Sequence, residues 1–330
     1  MKLSVLDLVS VVEGGTVRDA LANSAAAAKV AEECGYERYW VAEHHGMEGI
    51  ASAAVSVVLA HIGHATSTIR IGSGGIMLPN HSPLVIAEQF GTLDALFPGR
   101  IDLGLGRAPG ADQRIMRALR KDTNRAAEEF PADIVELQAQ FAGDRQVPLQ
   151  AVPGKGARPQ MWILGSSLFG AQLAAMLGLP YAFASHFAPN HLDEALRIYR
   201  ERFEPSETLA QPYCAAAINV IAADTDDEAH LLASSMDQSF VALRTGSPGK
   251  LQPPVPNYRA DLPAAAVAML ESVRRVSAVG TVETVRKGLA AFAERTGADE
   301  IITAASIFDQ TARLRSLRLT MQAANGLVTA

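Results

Sequence analysis

Three consecutive ionisable side chains, Glu43, His44 and His45, follow a short apolar run and precede a glycine. Residues 39–42 have the length and composition of a buried parallel strand, so the three side chains come at its C-terminal end. A carboxylate and two imidazoles are costly to bury, and they are usually placed where they bind something or move a proton. Neighbours on a strand point to opposite faces, so His44 shares the side of Trp40 if the strand continues. A hydrogen-bonded structural histidine also fits this position.

A metal centre is the alternative use of these side chains, because Glu43, His44, His61 and His64 are all of metal-binding types. Two adjacent histidines cannot reach one ion from a regular strand. The first predicted strand also lacks the His-x-His pair that metal-dependent barrel hydrolases use. The sequence therefore predicts no metal site. A metal-dependent hydrolase is kept as a rival class, which metal analysis of the purified protein would exclude.

Two glycines, Gly74 and Gly75, follow the predicted strand 69–73. Their spacing differs from the G-x-G-x-x-G dinucleotide loop, and no helix is predicted to begin there. Glycine at the tip of a strand permits unusual backbone geometry and the close approach of a planar ligand. From the residues alone, an ordinary turn explains the pair as well.

An arginine and two serines come at the ends of two further predicted strands. Arg107 follows strand 101–106, and Ser166 and Ser167 come where strand 160–164 turns into a helix. A guanidinium, two hydroxyls and the free N–H groups of a helix start together make a phosphate site. A surface arginine and an N-cap serine are the structural alternatives. The sequence contains no G-x-x-x-x-G-K-[ST] frame and no G-x-S-x-G elbow.

The elements that must position these residues alternate between strand and helix. Eight strands are predicted at 2–8, 39–43, 69–73, 101–106, 160–164, 181–184, 213–222 and 300–304. Helices are predicted at 16–34, 51–64, 83–96, 123–141, 190–203, 264–276 and 281–295, with others after 167, 225 and 310. This alternation favours a (β/α)8 TIM barrel, an α/β fold with one domain over 1–330, over an open doubly wound sheet.

A barrel of this kind needs ~250 residues, which leaves a surplus for two insertion loops. These are the segments 143–158 and 246–262, and the second is predicted to be a mobile lid or binding loop. Ligands bind at the C-terminal ends of barrel strands, so the residues above should come together there, with Asp7 and His186 at the ends of two other strands.

Composition excludes several classes of function. Of 330 residues, 48% are hydrophobic and 19% charged, and the net charge of -6 indicates neither a nucleic-acid nor an anionic-membrane partner. No run reaches the ~18 uncharged apolar residues of a membrane span, and the N-terminal stretch lacks the features of a signal peptide. Cys34 and Cys214 are predicted to be free thiols, in agreement with a cytoplasmic protein.

Four stretches resemble the bacterial luciferase-like monooxygenase family and follow one another in the family's order. They are YWVAEHH, ATSTIRIGSGGIMLPNHSPLVIAEQFGTLDALFPGRIDLGLGRAPG, WILGSSLFGAQLAAMLGLPYAFASHF and VGTVETVRKGL. The similarity is to oxidoreductases of unassigned substrate rather than to true luciferase. It implies a (β/α)8 barrel and FMN, or a deazaflavin in one branch of the family. It also implies a small-molecule substrate and a homodimer formed through residues 51–62 and 83–96.

The resemblance assigns one catalytic residue and a set of flavin contacts. His44 stands at the family's catalytic histidine. The flavin contacts implied are Gly74, Gly75, Arg107, Gly165, Ser166 and Ser167. The Gly74–Gly75 peptide corresponds to the family's cis peptide beneath the isoalloxazine ring, and Arg107 and Ser166 correspond to its phosphate site. Gly165 stands where luciferase itself has an acidic residue.

The function expected from these observations is that of a flavin-dependent monooxygenase using reduced FMN and O2. No nicotinamide motif is visible, so a separate NAD(P)H:flavin reductase is expected to supply the reduced flavin. A non-catalytic flavin-binding protein and a deazaflavin-dependent oxidoreductase of the same fold are the alternatives.

Overall fold

Eight parallel strands close into a barrel: seven of them pair in chain order, and the last strand of the chain closes the ring between the seventh and the first. The computed structural model describes residues 1–107, 118–119, 123–144 and 147–327. The strands are β1 (Lys2–Asp7), β2 (Arg38–Val41), β3 (Arg70–Met77), β4 (Ile101–Gly106), β5 (Gln160–Gly165), β6 (Tyr181–Phe183), β7 (Cys214–Ala222), β8 (Ser277–Gly280) and β9 (Glu300–Ala304). The predicted (β/α)8 barrel is confirmed.

Helices surround the barrel strands. They are α1 (Val17–Cys34), α2 (Val55–Ala65), α3 (Pro83–Leu96), α4 (Thr123–Ala142), α5 (Leu168–Met176), α6 (Leu192–Glu201), α7 (Asp226–Arg244), α8 (Ala264–Arg274), α9 (Val282–Thr296) and α10 (Gln310–Ala324). Among the helices of the described ranges, none is both long and apolar enough to cross a bilayer. The boundaries of α1 show how the sequence sets them: Thr16 and Asp19 form a capping box, and Gly35 ends the helix in the left-handed conformation.

One strand was missed in the sequence. β8 lies outside the closed ring, because it pairs only with the second half of β7, from Asn219 to Ala222. The first half of β7 pairs with β6 and β9. β8 is a four-residue strand between two helices, too short to show an alternating pattern of its own.

The predicted helix 51–64 begins later than expected, at Val55. The preceding residues instead bind the ends of two strands: the Ala51 N–H donates to the Val9 carbonyl at 3.0 Å, and the Ser52 hydroxyl donates to the Ala42 carbonyl at 2.6 Å. Tertiary hydrogen bonds therefore override the helical tendency of this apolar, alanine-rich stretch.

The barrel interior is filled rather than open. At its N-terminal end, the buried Arg38 guanidinium pairs with Asp102 at 2.8 Å and with Glu300 at 2.7 Å. Above these ion pairs, the rings of Trp40 and Trp162 pack edge to face with centroids 5.1 Å apart. Small and aliphatic side chains complete this layer, namely Ala182, Ala215, Ala217 and Ile302. A packed core of this kind leaves only the C-terminal face for ligands.

Asp7 was expected at that face, but its carboxylate points outward into the helical layer. It accepts hydrogen bonds from Ser24 at 2.6 Å and from Tyr39 at 2.5 Å, and it pairs with Arg313 at 2.7 Å. Burial acts to raise the pKa of Asp7, but Arg313 and the two hydroxyls outweigh it and lower the pKa. The expectation is therefore wrong: Asp7 joins β1 to α1 and α10, because alternation along β1 turns it away from the barrel axis.

Candidate active site

The backbone of β3 is irregular at the point where the two glycines lie. The peptide bond between Gly74 and Gly75 is cis, as the resemblance implied. The pairing with β4 shifts register between Gly74 and Ile76. Residues 70–73 of β3 pair regularly with β2, and the irregular part of the strand lies after them, at the C-terminal end of the barrel.

Both glycines are packed too closely for any other residue. A Cβ on Gly74 would lie 3.0 Å from Cβ of Trp40, and one on Gly75 would lie 2.4 Å from Leu164 and 2.7 Å from the Gly104 carbonyl oxygen. Contacts below about 3 Å force neighbouring atoms to move, and a carbonyl oxygen of the sheet cannot move freely. The bare backbone at this position lies directly over the aromatic layer that fills the barrel.

Arg107 and the start of α5 meet at the ends of β4 and β5. The Arg107 guanidinium carbon lies 4.0 Å from the centre of the Phe169 ring, two residues beyond Ser167. Ser167 is the N-cap of α5, yet its side chain makes no capping hydrogen bond. Arg107, Ser166 and Ser167 are all exposed. An exposed cation beside a helix N-terminus and two exposed serines is a geometry that binds phosphate.

Gly165 has a structural place beside this cluster. It is the last residue of β5 and pairs with Phe183, and its carbonyl oxygen accepts the N–H of Ala184 at 2.9 Å. Its role is to bring the chain from β5 into the helix start that carries Ser166 and Ser167.

His44 lies just beyond the end of β2 and is half-buried. Burial lowers the pKa of its imidazole, with a further lowering from His45 and a partial offset by Glu43. Within the part of the chain that the structure describes, the ring makes no hydrogen bond. The lowered pKa favours the neutral imidazole, and no described residue hydrogen-bonds to its ring nitrogens.

The two residues that flank His44 belong to a different cluster. Oε1 of Glu43 lies 2.5 Å from Nε2 of His45 and 2.8 Å from Nε2 of His81, while Oε2 accepts the N–H of Met77 at 3.0 Å. Burial acts to raise the pKa of Glu43, but these three partners lower it overall. His81 could not be paired with Glu43 from the sequence, because only the adjacency of the ends of β2 and β3 brings the two together.

His61 and His64, which the sequence offered as metal-binding types, are not in this cluster. Both are exposed on α2, and Nδ1 of His64 lies 2.8 Å from the Ala60 carbonyl oxygen of its own helix. The helical periodicity of α2 turns them away from the barrel.

Several buried polar atoms have no partner among the described residues. They include both amide atoms of Asn80 and Nδ1 of His186. Asn80 follows β3 and His186 follows β6, so both lie beyond the C-terminal ends of barrel strands. Burial lowers the pKa of His186 to about 4, which keeps its ring neutral. Buried polar groups are nearly always hydrogen-bonded, so these atoms fit a face that receives a polar ligand.

The predicted lid segment 246–262 lies on the loops that follow β1 and β2. The Leu251 N–H donates to the Val11 carbonyl at 2.9 Å, and the Leu251 carbonyl accepts the Glu13 N–H at 2.8 Å. A Cβ on Gly49 would lie only 2.1 Å from the Gly249 carbonyl oxygen, so the two backbones touch. The segment is thus a cover placed at the edge of the C-terminal face, and its mobility stays a prediction.

Side chains from the ends of β2, β3, β4 and β5 lie at the C-terminal face of a closed (β/α)8 barrel, which is the arrangement of a TIM-barrel enzyme. The chain matches the family model described as luciferase-like monooxygenase over residues 1–300. A protein of Escherichia coli strain K12 named luciferase-like monooxygenase is 51% identical over 319 residues, which are 96% of this chain and 95% of that protein. This chain therefore belongs to the luciferase-like monooxygenase family.

Solved structures share the fold. The crystal structure of apo-MsnO8 is 35% identical and has a TM-score of 0.87, with 98% of each chain covered. The oxygenating constituent of 3,6-diketocamphane monooxygenase from Pseudomonas putida, a type II Baeyer-Villiger monooxygenase in complex with FMN, has a TM-score of 0.75 at 18% identity. That comparison covers 100% of this chain and 99% of the other.

Proposed function

We propose that this protein is a flavin-dependent monooxygenase that uses reduced FMN and O2 on a small organic substrate. The observation that carries the proposal is the cluster of Arg107 over Phe169 beside the uncapped N-terminus of α5. It lies at the same face as the glycine backbone of β3, at the end of the barrel where a cofactor of this fold family binds. The phosphate of a bound flavin would thus contact Arg107 and the start of α5, and its ring would contact the glycine backbone of β3.

The residues divide the binding of FMN between two ends. Arg107, Ser166 and Ser167 would hold the phosphate by charge-assisted and neutral hydrogen bonds, with Gly165 placing the serines. The backbone of Gly74 and Gly75, which leaves no room for a Cβ on its barrel side, would lie under the planar ring. Reduced FMN, when bound, supplies the electrons that activate O2. The protein's part is to orient it and to exclude water.

His44 is proposed to be the proton-transfer residue. Its neutral ring takes a proton from substrate or cofactor as a general base and returns it as a general acid. Segment 246–262 covers the neighbouring loops and would keep water from the reacting groups. A separate NAD(P)H:flavin reductase is proposed as the source of reduced FMN.

Spectroscopic titration tests the cofactor. We expect the purified protein to quench FMN fluorescence at one equivalent, and to bind a deazaflavin more weakly. With reduced FMN, adding a substrate should lower the H2O2 released per O2 consumed, because one oxygen atom then enters the substrate and the other leaves as water. If the protein binds the deazaflavin tightly and does not bind FMN, the cofactor is a deazaflavin and not FMN. Flavin binding without any catalysed oxygen uptake would indicate the non-catalytic alternative.

Arg107→Ala tests the phosphate site. A charge-assisted hydrogen bond contributes roughly 1.5–3 kcal/mol, so FMN affinity should fall roughly ten- to a hundredfold. Activity should largely return at saturating FMN, because the contact is made equally in the ground and transition states. Arg202→Ala, at the exposed end of α6, is the matched control and should leave affinity unchanged. If Arg107→Ala and Arg202→Ala bind FMN with equal affinity, the phosphate does not bind at Arg107.

A further inference from the structure

The cluster of Glu43, His45 and His81 brings three ligand-type atoms together. The Glu43 carboxylate is wholly inaccessible to solvent, and the ring nitrogens of both histidines converge on one of its oxygens, at 2.5 and 2.8 Å. Among the described residues, no lysine or arginine lies within ion-pair distance of it. A buried carboxylate is usually paired with a cation, and here only two imidazoles are offered.

The donor set is that of a divalent transition metal. Two imidazole nitrogens and one carboxylate oxygen are the protein ligands of open zinc sites, and the same set serves other first-row metals. The three ligand atoms lie within 4.8 Å of one another. Tetrahedral bonds of about 2.0–2.2 Å to one ion separate the ligand atoms by about 3.3–3.6 Å, so the two rings would have to move outward from Glu43 by a little under about one ångström to admit it.

The surroundings are also those of a metal site. The second oxygen of Glu43 accepts the Met77 N–H at 3.0 Å, which fixes the plane of the carboxylate as an outer hydrogen bond does around metals. The side chains of His45 and His81 are 20% and 23% exposed, so one side of the cluster faces solvent. A fourth ligand, from water or from an oxygen or sulfur atom of a substrate, could approach from that side.

We propose that Glu43, His45 and His81 bind one divalent transition-metal ion of the zinc class at the C-terminal face of the barrel. The site lies beyond the ends of β2 and β3, and it does not include His44. The sequence predicted no metal site, because it gave no reason to place His81 beside Glu43. The proposal differs from that prediction. It is independent of the flavin, because none of the three residues is proposed as a flavin contact.

Metal titration of the full chain tests the site. The protein is stripped with a chelator, and Zn²⁺ is titrated in competition with a chromophoric chelator. Co²⁺ is used in parallel, since its visible absorption reports the ligand geometry. We expect one equivalent of tightly bound metal. Glu43→Gln and His81→Asn should each weaken binding by at least the ~10–100-fold that loss of a supporting group causes. His230→Gln, an exposed histidine on α7, is the control and should bind as the parent does.

Two results would overturn the proposal. The first is that the unsubstituted protein binds no stoichiometric Zn²⁺ or Co²⁺. The other is His81→Asn that binds as tightly as the parent, in which case the metal lies elsewhere and the cluster is only a hydrogen-bonded carboxylate. Circular dichroism and FMN titration of each variant establish that the fold is intact. If Glu43→Gln does not fold, the variant at the partly exposed His81 decides the question alone.

Discussion

His44 differs from its two neighbours in having no partner in the described structure, although all three come from one short stretch. Glu43 and His45 are held in a cluster with His81, whereas the half-buried ring of His44 is available for proton transfer. This difference could not be read from the sequence, where the two histidines are equivalent neighbours. It arises because β2 ends at Val41, so that strict alternation no longer governs the residues that follow.

His44→Asn should separate chemistry from binding. We expect flavin affinity to change little, while turnover falls roughly a hundred- to ten-thousandfold, as for the loss of a general acid or base. His64→Asn on the outer face of α2 is the matched control and should retain full turnover. FMN titration and oxygen uptake on both variants provide the measurement. If His44→Asn loses flavin and keeps its rate once saturated, His44 is a binding residue.

The pH dependence of the parent gives a second test of His44. Burial lowers its pKa below the usual 6.5, so the neutral base persists to lower pH than in an exposed histidine. We expect kcat/KM to be level through neutral pH and to fall only as the pH drops through that lowered pKa. The residual activity of His44→Asn should lack this acidic fall. An identical fall in the variant would assign it to another group.

At the scale of elements, Glu32 joins the end of α1 to the loop before β3. One carboxylate oxygen accepts the N–H groups of Ser67, Thr68 and Ile69 at 2.5–2.9 Å. Burial acts to raise the pKa of Glu32, but the N–H groups of Thr68, Ile69 and Ser67 lower it to about 2. Because the folded pKa is below the unfolded value near 4.5, this stabilisation is fully present above pH 4.5 and is lost as the pH falls towards 2.

Glu32→Ala should therefore destabilise the fold at pH 7 by about 1–2 kcal/mol, a value reduced because the carboxylate is only partly buried. Glu33→Ala is the matched control. Its carboxylate makes a 3.9 Å ion pair with Arg318 on the surface, so the change should be within about 0.5 kcal/mol. Urea unfolding at pH 7 and at acidic pH measures both variants. A Glu32→Ala penalty that stays constant as the pH falls from 4.5 would contradict the assignment.

Most elements could be predicted because their signals are local. Capping residues and glycines mark the ends of α1, and eight apolar runs mark the barrel strands. The failures are tertiary. β8 exists because β7 is long enough to pair beyond the ring, and the start of α2 is delayed by hydrogen bonds to Val9 and Ala42. Among the site residues, the encounter of Arg107 with the α5 start followed from strand order, but the approach of His81 to Glu43 did not.

At the scale of the whole molecule, two valines on neighbouring outer helices suggest an interface. Val57 on α2 is 67% exposed and Val85 on α3 is 42% exposed. We propose that these helices form a two-fold contact between copies of the chain, as the resemblance implied. Val57→Glu should shift the protein to a monomer at micromolar concentration, because a charge would face its own copy across the axis.

Leu231→Glu is the matched control, since Leu231 is 37% exposed on α7. This variant should leave the mass in solution unchanged. Sedimentation velocity on the parent and both variants gives the answer. A monomeric parent would remove the proposed interface, and a dimer that survives Val57→Glu would move it to another surface.

Because the barrel interior is filled, a ligand can enter and leave the C-terminal face only from the solvent side. Ion pairs of Arg38 close the far end, and the rings of Trp40 and Trp162 leave no passage along the axis. If two organic molecules stack along the barrel axis at this face, the one nearer to Trp40 and Trp162 must enter first and leave last. The order follows from geometry and holds whichever molecule binds more tightly. A high concentration of the outer molecule should then prevent the inner one from leaving and being replaced. The steady-state rate should fall when the concentration of the outer molecule is raised, but not when that of the inner molecule is raised.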